Sequence, residues 1–340
     1  MKRSFLIMLA VTVFMAMFLV ACQSDDHSSE DNHDIEINRY LYCPIDNAAI
    51  SEMPIRPVVV TIDNAPKARP QSGLMDADLL YEIPAEGGVS RFLAVFYHGV
   101  SDKIGPIRSA RPYLVDIARE WQGVYVHVGG SPDALSYLAN GNWPYINEFS
   151  HGSYFWRDKS RRAPHNLYTS SENLWQDITA KGWDEEKTVT AWPFLSQSQT
   201  QMGDIAADVI KINYSSAKNT YKYDSREDVY WREIANKPHV DADSGEQLAV
   251  KNVIVQYVTS RVLDSAGRLS IDMTGEGDAL LFSGGIVKKG FWKRPGLDYS
   301  TIFMDEEGNE WKMSSGKTFI QVVDQTVKVS YEDTTQTQSE

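Results

Sequence analysis

Near residue 200 the apolar pattern of the chain changes its period, and this limits the fold more than any other feature. Between about 56 and 190, runs rich in β-branched and aromatic residues alternate with segments of helical period. The runs are PVVVTI (57–62), LLYEI (79–83), RFLAVFYH (91–98) and VYVHV (124–128); the helical segments are 110–121, 131–139 and 170–181. In the first of these, Tyr113, Leu114, Ile117 and Trp121 recur at three- and four-residue steps, which places them on one helix face. Beyond about 200 the helical period fades. DVIKINY (208–214), NTYKYD (219–224), DVYWREI (228–234), KNVIVQYVTS (251–260), IVKKGFW (286–292) and KTFIQVV (317–323) are short strand-like runs separated by Gly, Asp and Asn turns. The expected fold class is therefore α+β. An N-terminal mixed α/β layered domain (41–195) precedes a smaller, mainly β domain (205–328). SQSQTQMGD (196–204) is the connector, and 329–340 is expected as a polar, frayed tail.

The start of the chain has a different logic. MKRSFLIMLAVTVFMAMFLVAC opens with Lys2 and Arg3, runs apolar through Val20 and ends at a small residue and a cysteine, the plan of a signal peptide over 1–21. Leu19-Val20-Ala21-Cys22 resembles the lipobox of bacterial lipoproteins, so Cys22 is the expected lipidation site, with palmitate among the expected acyl groups. The apolar run is shorter than the ~20 residues a spanning helix needs. The remainder is expected on the extracytoplasmic face of the cell membrane, anchored by lipid. Residues 22–40 are acidic and polar and read as a tether. Lipidation of Cys22 leaves Cys43 without a disulfide partner in the chain.

The formal net charge of −13 argues against nucleic acid as a partner and makes any local cluster of arginines informative. Such clusters occur in the first half. DNAPKARPQSGL holds Lys67 and Arg69; EGGVSRF holds Arg91; IGPIRSARPYLVDIARE holds Arg108 and Arg111; YFWRDKSRRAPHNLY holds Arg157, Arg161, Arg162, His165 and Asn166. Guanidinium forks suit carboxylate and phosphate, so convergent loops of this kind predict an anion pocket. Arg108 and Arg111 flank Ser109, the expected N-cap of a helix, and cations at the positive end of a helix are locally unfavourable. An anion is therefore expected there. It is either a ligand or an internal carboxylate, for which Asp116 and Glu120, one and two turns on, are the candidates. VYVHVGGSPDAL predicts a strand ending near His127, a Gly129-Gly130 turn and a helix capped by Ser131-Pro132. That loop suits a ligand or a plain tight turn equally.

Familiar catalytic signatures are absent: there is no G-x-S-x-G, H-E-x-x-H, Walker loop or paired C-x-x-C. Glu82 and Glu86 are separated by a strand end and a turn and do not form a glycosidase-like pair. Asp63, at the end of a strand, is the only catalytic candidate. No metal or cofactor is expected.

IDNAPKARPQSGL, YEIPAEGGVSRFLAVF, IGPIRSARPYLVDIARE, YVHVGGSPDAL and YFWRDKSRRAPHNLYTSSENL, with GDALLFSGGIVKKGFWKR and GKTFIQVV further on, resemble the YerB-like bacterial lipoproteins, which carry paired N- and C-terminal domains of unknown function. CPIDNAAI departs from the Cys-Pro-Leu-Thr-Gly-like start expected of them. The resemblance implies a membrane-tethered envelope protein and brings no catalytic residues. The leading functional expectation is a binding protein for an anionic wall glycan, peptidoglycan fragment or polyprenyl phosphate, using Arg69, Arg91, Arg108, Arg111, His127, Arg157, Arg162, His165 and Asn166. The alternatives are a phosphoryl or glycosyl-phosphate transferase in wall-polymer assembly, and a scaffold for an envelope protein partner.

Overall fold

The segment Val58–Asp63 (β1) carries apolar side chains on successive residues, so it is stable only with both faces covered. The computed structural model, which describes residues 41–196, 198–203 and 205–333, covers both. The signal peptide, Cys22, the acidic tether and residues 334–340 lie outside the described residues. With β1, the strands Leu79–Pro84 (β2), Ser90–Phe96 (β3), Val124–His127 (β4) and Tyr145–Asn147 (β5) form the N-terminal part of a sheet. The helices of this half are Pro112–Glu120 (α1), Pro132–Asn140 (α2), Glu148–His151 (α3) and Ser171–Ala180 (α4). The second half adds Ile205–Ala206 (β6), Val209–Tyr214 (β7), Ala217–Asp224 (β8), Val229–Ile234 (β9), Asn252–Tyr257 (β10), Gly275–Ser283 (β11), Ile286–Arg294 (β12), Ile302–Asp305 (β13), Thr318–Val323 (β14) and Lys328–Glu332 (β15).

Mixed helix and strand followed by a mainly β half is the expected class. The two halves nevertheless share one sheet. Its order is β6-β12-β11-β10-β14-β2-β3-β1-β4-β5, with β13 beside β12, eleven strands in all. The junction is β14 against β2, parallel, with Thr318 opposite Leu79 and Gln321 opposite Glu82. The apolar cores accordingly follow the faces of the sheet, not the halves of the chain. One face buries Val59, Leu79, Tyr81, Leu93 and Tyr125 with Leu114 and Ile117 of α1, Leu138 of α2, and Ile254 and Ile320 of the second half. The other buries Val58, Val60, Ile62, Phe92, Ala94 and Val126 with Leu174 and Ile178 of α4. Onto this face also packs a second antiparallel sheet, containing β9-β8-β7-β15 in that order, through Ile210, Ile212, Tyr221 and Tyr230.

Local chemistry explains most element ends. Ser131 caps α2 by accepting the Ala134 amide at 3.2 Å, with Pro132 at the first helical position, and Ser170 caps α4 through the Asn173 amide. Two expectations are corrected. Ser109 does not cap α1: Arg111 occupies the N-cap without a side-chain cap bond, because Pro112 sets the helix start and the 104–111 segment is held extended beside β1. The expected frayed tail is strand through Glu332, since β15 pairs with β7 from Lys328 opposite Asn213 to Glu332 opposite Val209.

A buried ion pair joins the second sheet to the first. Glu82 in β2 and Arg232 in β9 meet at 2.8 Å, with side chains 0% and 1% exposed. Breaking a buried pair on one side leaves an uncompensated charge, which costs about 3–5 kcal/mol. Arg232→Met is therefore expected to lower the unfolding free energy by about that amount in urea denaturation; a change below ~1 kcal/mol would show that Arg232 does not hold the two sheets together.

Candidate functional site

The last residues of β1 and the first of β3 are neighbours in register, which sets Asp63 opposite Arg91. The segment 104–111 runs beside that end of β1: the Asp63 amide donates to Pro106 O at 2.8 Å and the Arg108 amide to Thr61 O at 2.9 Å. Ser131 N then donates to Ala110 O. These main-chain bonds bring Arg108 and Arg111 over the strand ends. Together with the turn holding Glu86, they form an open cleft of about 560 Å³ lined by Asp63, Glu86, Arg91, Arg108 and Arg111, and by Ala266 and Arg268 of the second half. Four arginines thus face two carboxylates. A hollow of about 320 Å³ lined by Trp192, Phe303 and Trp311 is largely aromatic and has no Lys or Arg in its lining, and its Glu120 and Asp298 are paired with Arg294 and Arg119, so it does not offer an anion site.

Glu86 is the internal anion at the start of α1. It accepts from Arg111 Nε through one oxygen and from Arg91 Nη2 through the other, the latter at 3.1 Å. Burial opposes ionisation of Glu86, but the Arg111 hydrogen bond and the Arg91 charge outweigh it and hold its carboxyl below the ordinary range. Arg91 is pushed below its ordinary value, first by burial and then by the positive charge of Arg111, with Arg108 adding to it. The two expected rivals are engaged elsewhere. Asp116 accepts from Tyr137 OH at 2.9 Å, and Glu120 pairs with Arg294 at 3.3 Å while accepting the Thr301 amide. Glu86 lies 25 residues from Arg111, so nothing in helical spacing pointed to it.

Asp63 sits behind Arg108. Its Oδ2 lies 3.5 Å from Arg108 Nε and accepts a 2.7 Å hydrogen bond from His165 Nδ1, while Oδ1 accepts the Ala65 amide. Arg108 is the least committed of the four: its ion pair with Asp63 is 3.5 Å long, whereas the other three each hold a carboxylate at 3.1 Å or less. Arg268 is paired with Asp264 at 2.5 Å.

Of the nine residues expected to share one ligand site, Arg91, Arg108 and Arg111 line the cleft and His165 braces it; the other five lie elsewhere. Arg69 donates to Asn64 Oδ1 and O, holding the loop after β1. Arg157, exposed, contacts Asn166 and Glu148. Asn166 donates to the carbonyls of Asp158 and Arg161, Arg161 is spent on the carbonyls of Ala68 and Pro70, and Arg162 is exposed. These residues fold their own loops because a loop rich in carbonyls satisfies guanidinium groups without a ligand. The Gly129-Gly130 turn is a tight turn: the Gly129 amide donates to Asn147 Oδ1, and Gly129 has φ 56°, which favours glycine. His127 is fully buried, donates from Nδ1 to Gly129 O at 2.7 Å and stacks on Tyr125.

One further group, invisible as a sequence motif, has the composition of a metal centre. Cys43, Asp46 and His98 place one donor atom each within 4.8 Å of the others.

Two family models match the chain: the N-terminal domain of a protein of unknown function (DUF3048) over residues 47–184, and its C-terminal domain over 210–320. "Putative lipoprotein YerB" of Bacillus subtilis (strain 168) is 31% identical over 317 residues, spanning 91% of this chain and 92% of that protein. The crystal structure of YerB protein from Bacillus subtilis is similar with a TM-score of 0.77 at 30% identity, covering 85% of this chain and 99% of that one.

The environment of His127 has a measurable consequence. Burial pushes its imidazole down to about 4 from an ordinary 6.5, with the Gly129 contact only partly opposing this. The unfolded chain therefore takes up a proton first as pH falls, and stability decreases between pH 6.5 and 4. His127→Phe is expected to make the stability–pH curve shallower across that window by about 1.4 kcal/mol per pH unit. Urea titrations at several pH values check this, and parallel curves for the two proteins would contradict a buried neutral His127.

Proposed function

The chain belongs to the DUF3048 family, that of the YerB lipoprotein, and on that premise we propose that it is a lipid-anchored envelope protein that binds an anionic ligand in the Arg91–Arg108–Arg111–Arg268 cleft. The carrying observation is convergence: three arginines from two separated stretches of the first half and one from the second half line a single cleft in a chain of net charge −13. Guanidinium forks facing one space fit phosphate or carboxylate groups bidentately. The family relative named a lipoprotein and the Cys22 lipobox support tethering by lipid. The ligand class that suits such a place is a wall glycan phosphate, a peptidoglycan fragment or a polyprenyl phosphate.

Arg108 and Arg268 are the informative positions, because replacing Arg91 or Arg111 would strip Glu86 of a partner. Arg108→Ala is expected to weaken binding of isolated anionic wall polymer by about 10-fold or more, the loss of a charge-assisted hydrogen bond, with an unchanged melting temperature. Arg268→Ala should act in the same direction, and added salt should weaken the wild-type complex. Binding that survives both substitutions would remove the cleft from the interaction.

A second reading, transfer of a phosphoryl or glycosyl-phosphate group, gains from one observation. The Asp63 carboxylate, which lines the cleft, accepts the His165 Nδ1 proton, an arrangement that orients an imidazole and leaves Nε2 free to act as a base. Turnover of a lipid-linked pyrophosphate by the wild type and its loss in His165→Gln, with polymer binding retained, is the outcome expected of this reading. Retained turnover would exclude His165 as acid or base.

A further inference from the structure

At the opposite end of β2 and β3 from Glu86 and Arg91, four side chains from three parts of the chain meet. Cys43 and Asp46 come from the turn between two short strands, Leu41–Tyr42 and Ala49–Ile50; Asp78 immediately precedes β2, and His98 follows β3. His98 Nε2 lies 3.1 Å from Asp46 Oδ2 and 2.9 Å from Asp78 Oδ1, and Cys43 Sγ completes the group within 4.8 Å of Asp46 and His98. Cys43, Asp46 and Asp78 are 1%, 5% and 1% exposed, whereas the His98 side chain is 27% exposed and leaves a route from solvent.

We propose that Cys43, Asp46, Asp78 and His98 form a four-ligand site for a divalent transition-metal ion, Zn²⁺ foremost. A thiolate, an imidazole and two carboxylates are the donor types of zinc centres. Zinc bonds of 2.0–2.3 Å imply donor–donor spacings of roughly 3.3–3.8 Å in a tetrahedron, so an ion needs the His98 contacts to Asp46 and Asp78 to widen by tenths of an ångström and the Cys43 thiolate, within 4.8 Å of Asp46 and His98, to close onto it. Three of the four ligands are also held from outside the centre. Asp78 Oδ2 accepts the amides of Tyr97, His98 and Gly99, which turns Oδ1 toward His98. Asp46 Oδ1 accepts the Ala48 amide, and the Ile45 amide points at Cys43 Sγ at 3.4 Å. Outer contacts of this kind orient metal ligands and tune their affinity. Half-buried Lys317 faces Asp78, Asp76 and Asp46 and offsets part of their charge. Without metal, the His98 ring proton satisfies both carboxylates. Binding takes the Nε2 and Cys43 thiol protons, so M²⁺ enters and two H⁺ leave when His98 starts as imidazolium; from neutral His98 the Nε2 proton passes to Nδ1 and one H⁺ leaves.

The test uses purified full-length protein in detergent, stripped with chelator, with Co²⁺ as spectroscopic probe and Zn²⁺ as competitor. One equivalent of Co²⁺ is expected to give tetrahedral visible bands and a thiolate-to-cobalt charge-transfer band in the near ultraviolet, both abolished by one equivalent of Zn²⁺. Cys43→Ser should remove the charge-transfer band, and His98→Ala and Asp78→Asn should each weaken Zn²⁺ binding by at least 10-fold, while Arg108→Ala leaves it unchanged. Circular dichroism establishes that each variant is folded; if Cys43→Ser does not fold, Asp46→Asn is read for affinity instead. No charge-transfer band in the folded wild type, or Zn²⁺ affinity equal to wild type in folded His98→Ala and Asp78→Asn, would overturn the assignment.

Discussion

A guanidinium buried between two sheets decides much of this architecture. Arg232 has no solvent, so every donor must find an acceptor within the fold: Nη2 donates to Glu82, Nη1 to Tyr221 OH and Nε to His239 Nδ1. The rings of Phe92, Tyr221 and Phe319 lie around the charge, the Phe319 centroid at 4.8 Å. Glu82 is satisfied in turn by Asn64, Ser90 and Asn219. His239 can accept from Arg232 only while its Nδ1 is unprotonated, and it donates from Nε2 to Gln71. Burial and the neighbouring charges of Arg232 and Arg69 depress its proton affinity, which keeps it in that state. The partners come from both halves of the chain, so neither half can bury its own member of the network alone.

The same network reaches the cleft. Asn64, bonded to Glu82, is also bonded by Arg69 and by Gln71, and Gln71 donates to the carbonyl of Asp63. The loop after β1 is therefore pinned from below by buried polar groups, which fixes the Asp63 carboxylate where His165 and Arg108 meet it. A carboxylate held on a rigid strand end by interior bonds is positioned more sharply than one on a free loop. Arg69 is a large part of that pinning, which explains why an arginine that reads as a ligand residue in the sequence belongs to the frame.

Legibility followed the range of the interaction. Strand and helix positions rest on local period and on caps such as Ser131 and Ser170, and these agree with the structure to within a few residues. The sharing of one sheet by the two halves rests on β14 lying parallel to β2, residues some 240 apart in sequence, and no periodicity encodes that pairing. The convergence of Arg91, Arg108 and Arg111 was legible because all three sit at ends of recognisable elements. Arg268 was not, since it sits in the turn of a short hairpin, Ser260–Val262 with Leu269–Ile271, far in sequence from the other three. The pairing of Glu86 with Arg111, 25 residues on, and the meeting of the Cys43–Asp46 turn with Asp78 and His98 likewise join distant parts of the chain, the latter only when β2 and β3 pair.

Satisfaction of the guanidinium groups separates structural arginines from those of the cleft. Arg294 is fully buried and donates to the carbonyls of Asp116, Met273, Leu297 and Tyr299 while pairing with Glu120; its acceptors are complete, and a ligand could only compete with them. The cleft is different. Arg91 and Arg111 each donate to one carbonyl, Ser109 O and Ala110 O, and otherwise share one carboxylate, Glu86, and Arg108 has only a long contact to an Asp63 already engaged by His165. Arg111 also occupies the N-cap of α1, whose first turn contains no acidic residue, so the positive helix end adds to the surplus. Glu86 therefore answers the charge of this end of the sheet only in part. A second anion entering beside it would find donors already aimed at common space and held by main-chain bonds, so little ordering cost opposes its binding.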